Sequence, residues 1–266
     1  MRSSVEPKLL AISFIAAVLL AFVLYLIRRR SQSRANSIVF VGAPDAGKTA
    51  ILSTLAFGQT FPSQTSLQTN TCAFVLNKKA VTLVDVPGHP RLRAEFREHL
   101  PDAKAIVFVI DSSDISRNGP SVAEHLHWVL HTVSTIPPSQ DPPAIVILAH
   151  KCDLLKIGSV STTSSLEQLA INRVRAILER ELEKRRRSHT GSVTIDELGA
   201  EGEDNSELGG LDCNGAPGES FKFSEWEGGD IEFMGTWVSA GETVDLSDEK
   251  RQINIDGLVA WLESLV

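Results

Sequence analysis

The chain has 266 residues, enough for one sizeable domain with appendages, and its 42% hydrophobic and 22% charged residues are typical of a globular protein. The net charge of −7 is uneven, because residues 191–249 hold sixteen acidic side chains and only one basic one. Basic clusters are confined to residues 28–30 and 184–187, so direct sequence-specific binding of nucleic acid is not expected. Three cysteines without regular spacing indicate a reducing compartment; they are Cys72, Cys152 and Cys213.

The N-terminal region contains an uncharged apolar stretch at residues 9–27. As a helix it would extend about 28 Å, close to the thickness of the hydrocarbon core of a bilayer. Signal peptides have shorter apolar cores, and no small-residue cleavage pattern follows this one. Three arginines begin the next segment, and such positive charge stays in the cytosol. We therefore expect a single transmembrane helix at 9–27, a lumenal terminus at 1–8, a basic linker at 28–36 and a cytosolic domain at 37–266.

Short apolar runs alternate with segments of helical period along residues 37–266. The predicted strands are Ser37–Val41, Cys72–Leu76, Val81–Val86, Ala105–Asp111, Ala144–Ala149 and Ile231–Val238. The predicted helices are Lys48–Phe57, Arg91–His99, Ser121–Ile136, Ser164–Arg187 and Ile255–Leu265. This alternation predicts an α/β fold with a mostly parallel, six-stranded sheet and helices on both faces.

One stretch interrupts the alternation. Residues 189–219 are rich in Gly, Ser, Asp and Glu and poor in apolar side chains. Such a segment buries too little surface to offset the entropy of ordering it, so we expect a disordered acidic insertion within the domain. It could be a solvated spacer or a docking segment for a basic partner.

A glycine-rich sequence follows the first predicted strand and opens the first predicted helix. It reads GAPDAGKT and matches the pattern G-x-x-x-x-G-K-[ST], whose backbone N–H groups surround nucleotide phosphates. The lysine of this pattern contacts the outer phosphate oxygens, and the final hydroxyl binds Mg²⁺. The residues expected to contact the phosphates or the metal are Gly42, Asp45, Ala46, Gly47, Lys48, Thr49 and Ala50.

The sequence VDVPG at the end of another predicted strand supplies two further groups. The Asp85 carboxylate can hold the Mg²⁺ shell through a water molecule, and Gly88 allows a backbone N–H to approach the terminal phosphate. The metal site also requires a hydroxyl from the loop before the second strand. Among four threonines there, Thr65 leaves the most room for that strand to begin, and we select it as the candidate ligand.

The loop after the fifth predicted strand reads HKCD. Guanine offers two neighbouring N–H donor groups on one edge, and the Asp153 carboxylate is placed to accept both. The aliphatic stem of Lys151 can cover the base, and His150 completes the loop. After the last strand, Ser239 and Ala240 can bring a backbone N–H to the guanine oxygen.

These segments resemble the Ras-like small GTPases, in particular the Arf/Sar branch, and among them the family of beta subunits of the signal recognition particle receptor. The segments that carry the resemblance are QTSLQTN (64–70), VDVPGH (84–89), AKAIVFVIDSSD (103–114) and FKFSEWEGGDIEF (221–233), together with the apolar stretch at 9–27 and the acidic insertion. The resemblance covers residues 1–185 and 221–266 and implies a P-loop GTPase fold.

The resemblance also implies a function. A member of this family binds GTP with Mg²⁺ and is anchored in the endoplasmic reticulum membrane through lipid contacts of its apolar helix. It holds the alpha subunit of the receptor in the GTP state, and through it acts indirectly on the ribosome and the translocon during co-translational targeting.

Two residues depart from the general small-GTPase pattern. His150 replaces an asparagine that ties the loop at 150–153, the base loop, to the glycine-rich loop at 42–49, the phosphate loop. We therefore expect a retained preference for GTP over ATP with weaker binding. His89 replaces the glutamine that orients the attacking water, whereas translation GTPases carry a histidine there. His89 is therefore a candidate for water positioning in a slow, partner-dependent hydrolysis, or it packs against the alpha subunit.

Two other functions fit parts of the pattern. One is an Arf/Sar-like GTPase of vesicle traffic, but those proteins usually reach the membrane through a helix that can withdraw, unlike a permanent span. The other is a translation-factor-like GTPase, which would require further domains.

Overall fold

The computed structural model describes residue 20 and residues 36–137, 140–155, 163–192, 211, 220–239 and 253–265. The chain divides into two compact units, Met1–Asn36 and Ser37–Val266. Among these described residues no helix combines the length and the apolarity needed to cross a membrane. The segment predicted to do so, 9–27, lies outside them except for Leu20, which is helical. The predicted terminus at 1–8 and the linker at 28–36, apart from Asn36, also lie outside.

Six strands form one sheet in the second unit, in the order β2-β3-β1-β4-β5-β6. The strands are β1 (Ser37–Gly42), β2 (Asn70–Leu76), β3 (Lys79–Asp85), β4 (Ala103–Asp111), β5 (Ala144–His150) and β6 (Ile231–Gly235). β2 is antiparallel to β3, and the other neighbouring strands pair in parallel. The prediction of a mostly parallel, six-stranded α/β sheet is confirmed.

Helices cover both faces of this sheet. They are α1 (Lys48–Phe57), α2 (Phe96–His99), α3 (Ile115–Ser134), α4 (Thr163–Ser192) and α5 (Asp256–Leu265). Along β1, Val39 faces a core that includes side chains of α3 and α4, whereas Phe40 faces a second core that includes side chains of α1 and α5. Side chains alternate between the faces of a strand, so a central strand of this kind is apolar at consecutive positions.

Helix α3 begins earlier than predicted. The prediction started at Ser121, after Pro120, because proline disfavours helix interiors. The helix instead begins at Ile115 and contains Pro120. Ile115 is buried and Val122, two turns later, is also buried, so packing against the core outweighs the loss of one backbone hydrogen bond.

The boundaries of two other elements also differ from the prediction. Most of the helix predicted at Arg91–His99 is a 3₁₀ turn at Pro90–Glu95, followed by the short α2. β6 ends at Gly235 rather than Val238, because Trp237 leaves the sheet and forms an isolated antiparallel bridge with Asn254.

The predicted acidic insertion falls largely outside the described residues. Its start differs from the prediction, because α4 continues to Ser192. Leu211, in the middle of the insertion, is buried and belongs to the core that α3 and α4 share. At least one residue of this segment is therefore held by the domain.

Candidate functional site

The glycine-rich loop lies at the carboxyl end of β1, where it turns into α1. Gly47 has a φ of 100° immediately before the helix, a conformation that side chains rarely adopt. Gly88 lies directly against this loop, since a methyl group built on it would be 2.5 Å from Pro44 N and 2.6 Å from Gly42 O. The backbone after β3 and the loop after β1 are thus in contact.

The Lys48 side chain folds back over the loop. Its Nζ donates hydrogen bonds to the carbonyl oxygens of Gly42, at 3.0 Å, and Ala43, at 2.9 Å. Burial lowers the pKa of this ammonium group, and the neighbouring carboxylates of Asp85 and Asp45 oppose the shift. A buried cation beside backbone N–H groups suits a bound anion.

Thr49 and Asp85 form the centre of the candidate metal site. Thr49 Oγ1 donates to Asp85 Oδ2 at 2.6 Å, and Ser66 Oγ lies 3.2 Å from Thr49 Oγ1. Asp85 is fully buried, and within the described residues its Oδ1 has no hydrogen-bond partner. Burial raises the pKa of Asp85, and contacts with Thr49 and Lys48 oppose this.

These oxygens fit Mg²⁺. The metal prefers hard oxygen ligands and keeps several bound water molecules. An unpartnered carboxylate oxygen can accept hydrogen bonds from these waters. A small cavity in front of the loop is lined by Lys48, Thr49, Ser66 and Gly88, among others. The donor set is therefore suited to a phosphate-bound cation.

The hydroxyl group closest to Thr49 was not the one selected from the sequence. Thr65 Oγ1 instead donates to Asp45 Oδ1 at 3.3 Å and is exposed to solvent, whereas its neighbour Ser66 contacts Thr49. No sequence pattern distinguishes adjacent hydroxyl residues in a loop without regular structure. Thr65 stays a prediction, and Ser66 joins it as a second candidate.

Lys151 links the base loop to the phosphate loop. Its Nζ donates to Asp45 O at 2.7 Å and to Asp111 Oδ2 at 2.6 Å. Burial raises the pKa of Asp111, but hydrogen bonds from Lys151 and Ser113 outweigh this and the pKa is lowered. Sequence analysis missed Asp111, because a single acidic residue at a strand end has no local signature.

Asp153 lies in the 3₁₀ turn Cys152–Leu154 and is exposed. Partial burial raises its pKa, and nearby backbone N–H groups and Lys151 oppose the shift. Ser239 lies shortly after β6 and is partly buried, while Ala240 lies outside the described residues. Asp153 is thus exposed, two residues after Lys151, which contacts the phosphate loop.

His150 is buried, with 1% of its surface exposed. Its Nδ1 lies 2.9 Å from Thr236 Oγ1, and its ring packs against Gly47. Burial lowers the pKa of the imidazole to about 3, so the ring is neutral at physiological pH. Thr236 was also missed in the sequence, since it lies 86 positions away.

His89 is exposed and begins the 3₁₀ turn after β3. Its Nδ1 accepts a hydrogen bond from Arg91 N at 3.2 Å. Helix α2, which follows the turn, packs on α3 through Phe96, whose ring centroid is 5.7 Å from that of Trp128. In this arrangement His89 acts as a cap for the turn.

Comparisons with known proteins find similar chains among small GTPases and receptor subunits. A family model described as "Signal recognition particle receptor beta subunit" matches residues 33–228. The signal recognition particle receptor subunit beta of Rattus norvegicus is 30% identical over 175 residues, which are 64% of each protein. The chain thus spans about 64% of the length of this curated relative. The small COPII coat GTPase SAR1B of Dictyostelium discoideum is 33% identical over 117 residues, 44% of this chain and 57% of that protein.

A solved structure gives the same result. "The Structure of the Mammalian SRP Receptor" contains a chain that matches with a TM-score of 0.61 and 25% identity, over 86% of this chain and all of that one. The sheet order and the position of the glycine-rich loop after β1 agree with this match and with the family model. The chain belongs to the family of signal recognition particle receptor beta subunits, within the Arf/Sar-related small GTPases.

Proposed function

We propose that the protein binds GTP with Mg²⁺ and serves as the nucleotide-gated subunit that holds the receptor alpha subunit at the endoplasmic reticulum membrane. One observation carries the nucleotide part of this proposal. Lys151 reaches from the base loop to the Asp45 carbonyl in the phosphate loop, at 2.7 Å, so the two halves of a nucleotide site are joined in one arrangement. The family to which the chain belongs supports the receptor role.

The residues of the chain have distinct roles in this proposal. Backbone N–H groups from Asp45 to Ala50 face the phosphates, and Lys48 turns from its carbonyl partners to the phosphate oxygens. Thr49 and Asp85 would hold Mg²⁺, Asp85 through water, with Thr65 or Ser66 as a further hydroxyl. When bound, this cation neutralises phosphate charge.

Base selection is assigned to the loop after β5. Asp153 accepts the two N–H groups of guanine, the Lys151 stem covers the base, and the Ser239–Ala240 turn faces the guanine oxygen. The nucleotide state reaches the partner through Gly88, whose N–H senses the terminal phosphate, and through the turn that His89 begins. Hydrolysis is slow without a partner, because His89 Nδ1 accepts a hydrogen bond from the Arg91 backbone N–H, which holds the imidazole as a cap on the turn.

The membrane part of the proposal depends on the sequence of residues 9–27. Their length and the arginines that follow support a single-pass anchor in contact with lipid, with residues 1–8 in the lumen and the GTPase domain in the cytosol. The ribosome and the translocon are then indirect partners, reached through the alpha subunit.

A second candidate function is that of a membrane-anchored Arf/Sar-like GTPase in vesicle traffic. The similarity to SAR1B favours it, although the match covers 44% of this chain. The two functions differ in the partner that the GTP-bound protein retains, which can be measured.

The test is to purify the full chain in mild detergent, identify the nucleotide that accompanies it, and measure competition by GTP and ATP. We expect the purified chain to retain a guanine nucleotide and to bring a receptor alpha subunit with it. GTP should displace the bound nucleotide, whereas ATP at the same concentration should not. Equal displacement by ATP contradicts guanine binding, and co-purification of coat proteins in place of the alpha subunit supports the second function. Lys48→Ala is the binding-deficient control. Lys104→Ala is its matched control, because Lys104 lies at the start of β4, at the opposite end of that strand from Asp111.

A further inference from the structure

A groove of about 480 Å³ runs along the C-terminal half of α4, and none of the candidate nucleotide-binding residues lines it. It lies between this helix and the start of the segment that leads to β6. Four of its wall residues are cations and two more belong to the facing segment. This α4 groove is defined by Arg180, Lys184, Arg187 and Lys222, together with Ser220 and Phe221.

Two carboxylates of α4 attach the facing segment to the helix. Glu183 Oε2 accepts a hydrogen bond from Phe221 N at 2.9 Å. Glu179 Oε1 accepts one from Phe223 N at 3.3 Å. Both phenylalanine side chains are buried in the core, so the position of the groove wall is fixed by packing as well as by hydrogen bonds.

The α4 groove carries more positive than negative charge. Its four cationic side chains are each between 52% and 71% exposed. The carboxylates beneath them are each shared by two cations. These contacts are Arg180 and Lys184 on Glu181, and Arg186 and Arg187 on Glu183, at 2.6–3.0 Å. Four cations on two carboxylates leave a positive surplus, and an open groove with such a surplus suits an extended, negatively charged segment.

The acidic insertion supplies a segment of this chemistry at the same place. Residues 193–219 contain eight acidic side chains and no basic one. The segment leaves α4 at Ser192, about 18 Å along the helix from Arg180, and returns at Ser220 in the groove wall. Leu211, between these ends, is buried in the core of the domain. The insertion therefore begins and ends beside the groove.

We propose that the acidic side chains of residues 193–219 bind in the α4 groove of their own domain, through ion pairs with its four cations. A single exposed ion pair is weak and is screened by salt. Attachment at both ends, however, raises the effective concentration of the segment to about the millimolar range, so that several weak pairs are enough to keep it bound. The bound segment keeps other polyanions from this surface, independently of the nucleotide.

Zero-length carbodiimide crosslinking of the full chain in mild detergent tests the contact, because the reagent joins a lysine to a carboxylate only when the two touch. Mass spectrometry of the peptides should find Lys184 and Lys222 joined to acidic residues of 193–219. High salt should reduce these products at least about threefold, since it screens exposed ion pairs.

The chain offers controls for this reaction. Lys184 with Glu181, at 2.9 Å, and Lys222 with Glu225, at 3.4 Å, should be joined in any case and show that the reagent works. Lys78 is an exposed lysine in the turn between β2 and β3 and should not be joined to the insertion.

A fluorescent synthetic peptide of residues 193–219 tests whether the groove is already filled. It should not bind measurably to the unmodified chain. It should bind to a neutralised chain, in which each Asp and Glu of the insertion is replaced by Asn or Gln. The difference arises because the peptide competes with the attached segment only in the unmodified chain.

The groove cations should determine this peptide binding. Adding Lys184→Gln and Arg187→Gln to the neutralised chain should weaken it at least about fivefold. Each buried carboxylate keeps one cation in this variant, so the fold is preserved. Lys78→Gln with Arg117→Gln removes the same charge from exposed positions elsewhere and should leave the affinity within about twofold.

Three results would overturn the inference. The first is the lack of any crosslink from Lys184 or Lys222 to the insertion, or crosslinks at Lys78 that are equally frequent. The second is equal peptide binding by the unmodified and the neutralised chains. The third is crosslinking of the insertion only to a different molecule of the protein, which would assign the groove to a second copy.

Discussion

Lys151 Nζ lies 2.6 Å from Asp111 Oδ2, and this ion pair joins the base loop to the end of β4. Both side chains are largely shielded from solvent, at 29% and 23% exposure. The same ammonium group donates to Asp45 O in the phosphate loop. Asp111 therefore determines where the Lys151 stem lies relative to both loops.

Asp111→Asn should weaken GTP binding about fivefold to tenfold, because a charge-assisted hydrogen bond to Lys151 becomes a weaker neutral one. Equilibrium titration with a fluorescent GTP analogue measures the change. Asp114→Asn is the matched control, since Asp114 pairs with Arg117 at 4.0 Å on the surface. Equal affinity in the two variants would contradict the role given to Asp111.

Asp153→Asn should change the base preference from GTP to XTP. The amide can donate to the additional carbonyl oxygen of xanthine, but it cannot accept both guanine N–H groups as a carboxylate does. Competition binding with the two nucleotides measures the ratio, which we expect to shift at least about a hundredfold. Asp102→Asn is the control and should leave the ratio unchanged, because Asp102 is exposed and directly precedes the first residue of β4, at the far end of that strand from Asp111.

Removal of Mg²⁺ by EDTA should accelerate GDP release at least about tenfold, because Thr49 and Asp85 would then lose the cation that links them to the phosphates. Asp85→Asn should release GDP quickly and respond little to EDTA, since the variant holds the metal poorly. An unmodified chain whose GDP release is insensitive to EDTA would argue against the assigned metal site.

Without a partner, single-turnover hydrolysis should be slow, on the order of 10⁻⁴ s⁻¹ as in an unassisted Ras-type site. His89→Ala should change this rate less than about threefold and lower the free energy of unfolding by about 1 kcal/mol, because it removes the cap on Arg91 N. His89→Asn keeps a capping side chain and should retain that stability. A rate of roughly 1 s⁻¹ or faster for the unmodified chain would contradict the proposed dependence on a partner.

The stability of the domain should decrease in mild acid through two buried histidines. Burial lowers the pKa of His125 well below its ordinary value and that of His150 to about 3. An unfolded histidine takes up a proton near pH 6.5, so below that pH the unfolded chain binds more protons than the folded one. As the pH is lowered below that value, the free energy of unfolding therefore decreases by up to about 1.4 kcal/mol per pH unit for each histidine.

Urea unfolding at pH 7.5 and 5.5 measures this effect. The pKa values of Asp85 and Asp153 are raised, so these two groups increase the free energy of unfolding as the pH is lowered towards their ordinary pKa. The contribution of each histidine is therefore obtained by comparing its variant with the unmodified chain. His125→Asn and His150→Asn should each lose part of the dependence on pH. Identical dependence in all three proteins would contradict the assignment.

The sequence predicts the sheet well, and it indicates for a physical reason that two of the candidate site segments lie close together. The loop from Gly42 to Thr49 and the segment Asp85–Gly88 each follow a strand, and the carboxyl ends of parallel strands meet at one edge of a sheet. Their approach to each other could therefore be expected before the structure was known.

Three contributors could not be predicted in this way. Ser66, Asp111 and Thr236 are single polar residues whose roles arise from contacts with distant segments. The early start of α3 was missed for a related reason, since burial of Ile115 outweighs a local signal from Pro120. Local patterns indicate elements, whereas the partners of an isolated side chain depend on the assembled sheet.

Burial of β1 on both faces fixes the position of the phosphate loop that follows it. Val39 and Phe40 are fully buried on opposite faces, so the strand cannot slide by one residue without exchanging every side chain between the two cores. Such a slip would also displace Gly42 by about 3.3 Å relative to Asp85. The distance between the glycine-rich loop and the Asp85 carboxylate, the candidate phosphate and metal ligands, is thus set by buried apolar side chains of the strand that joins them to the sheet.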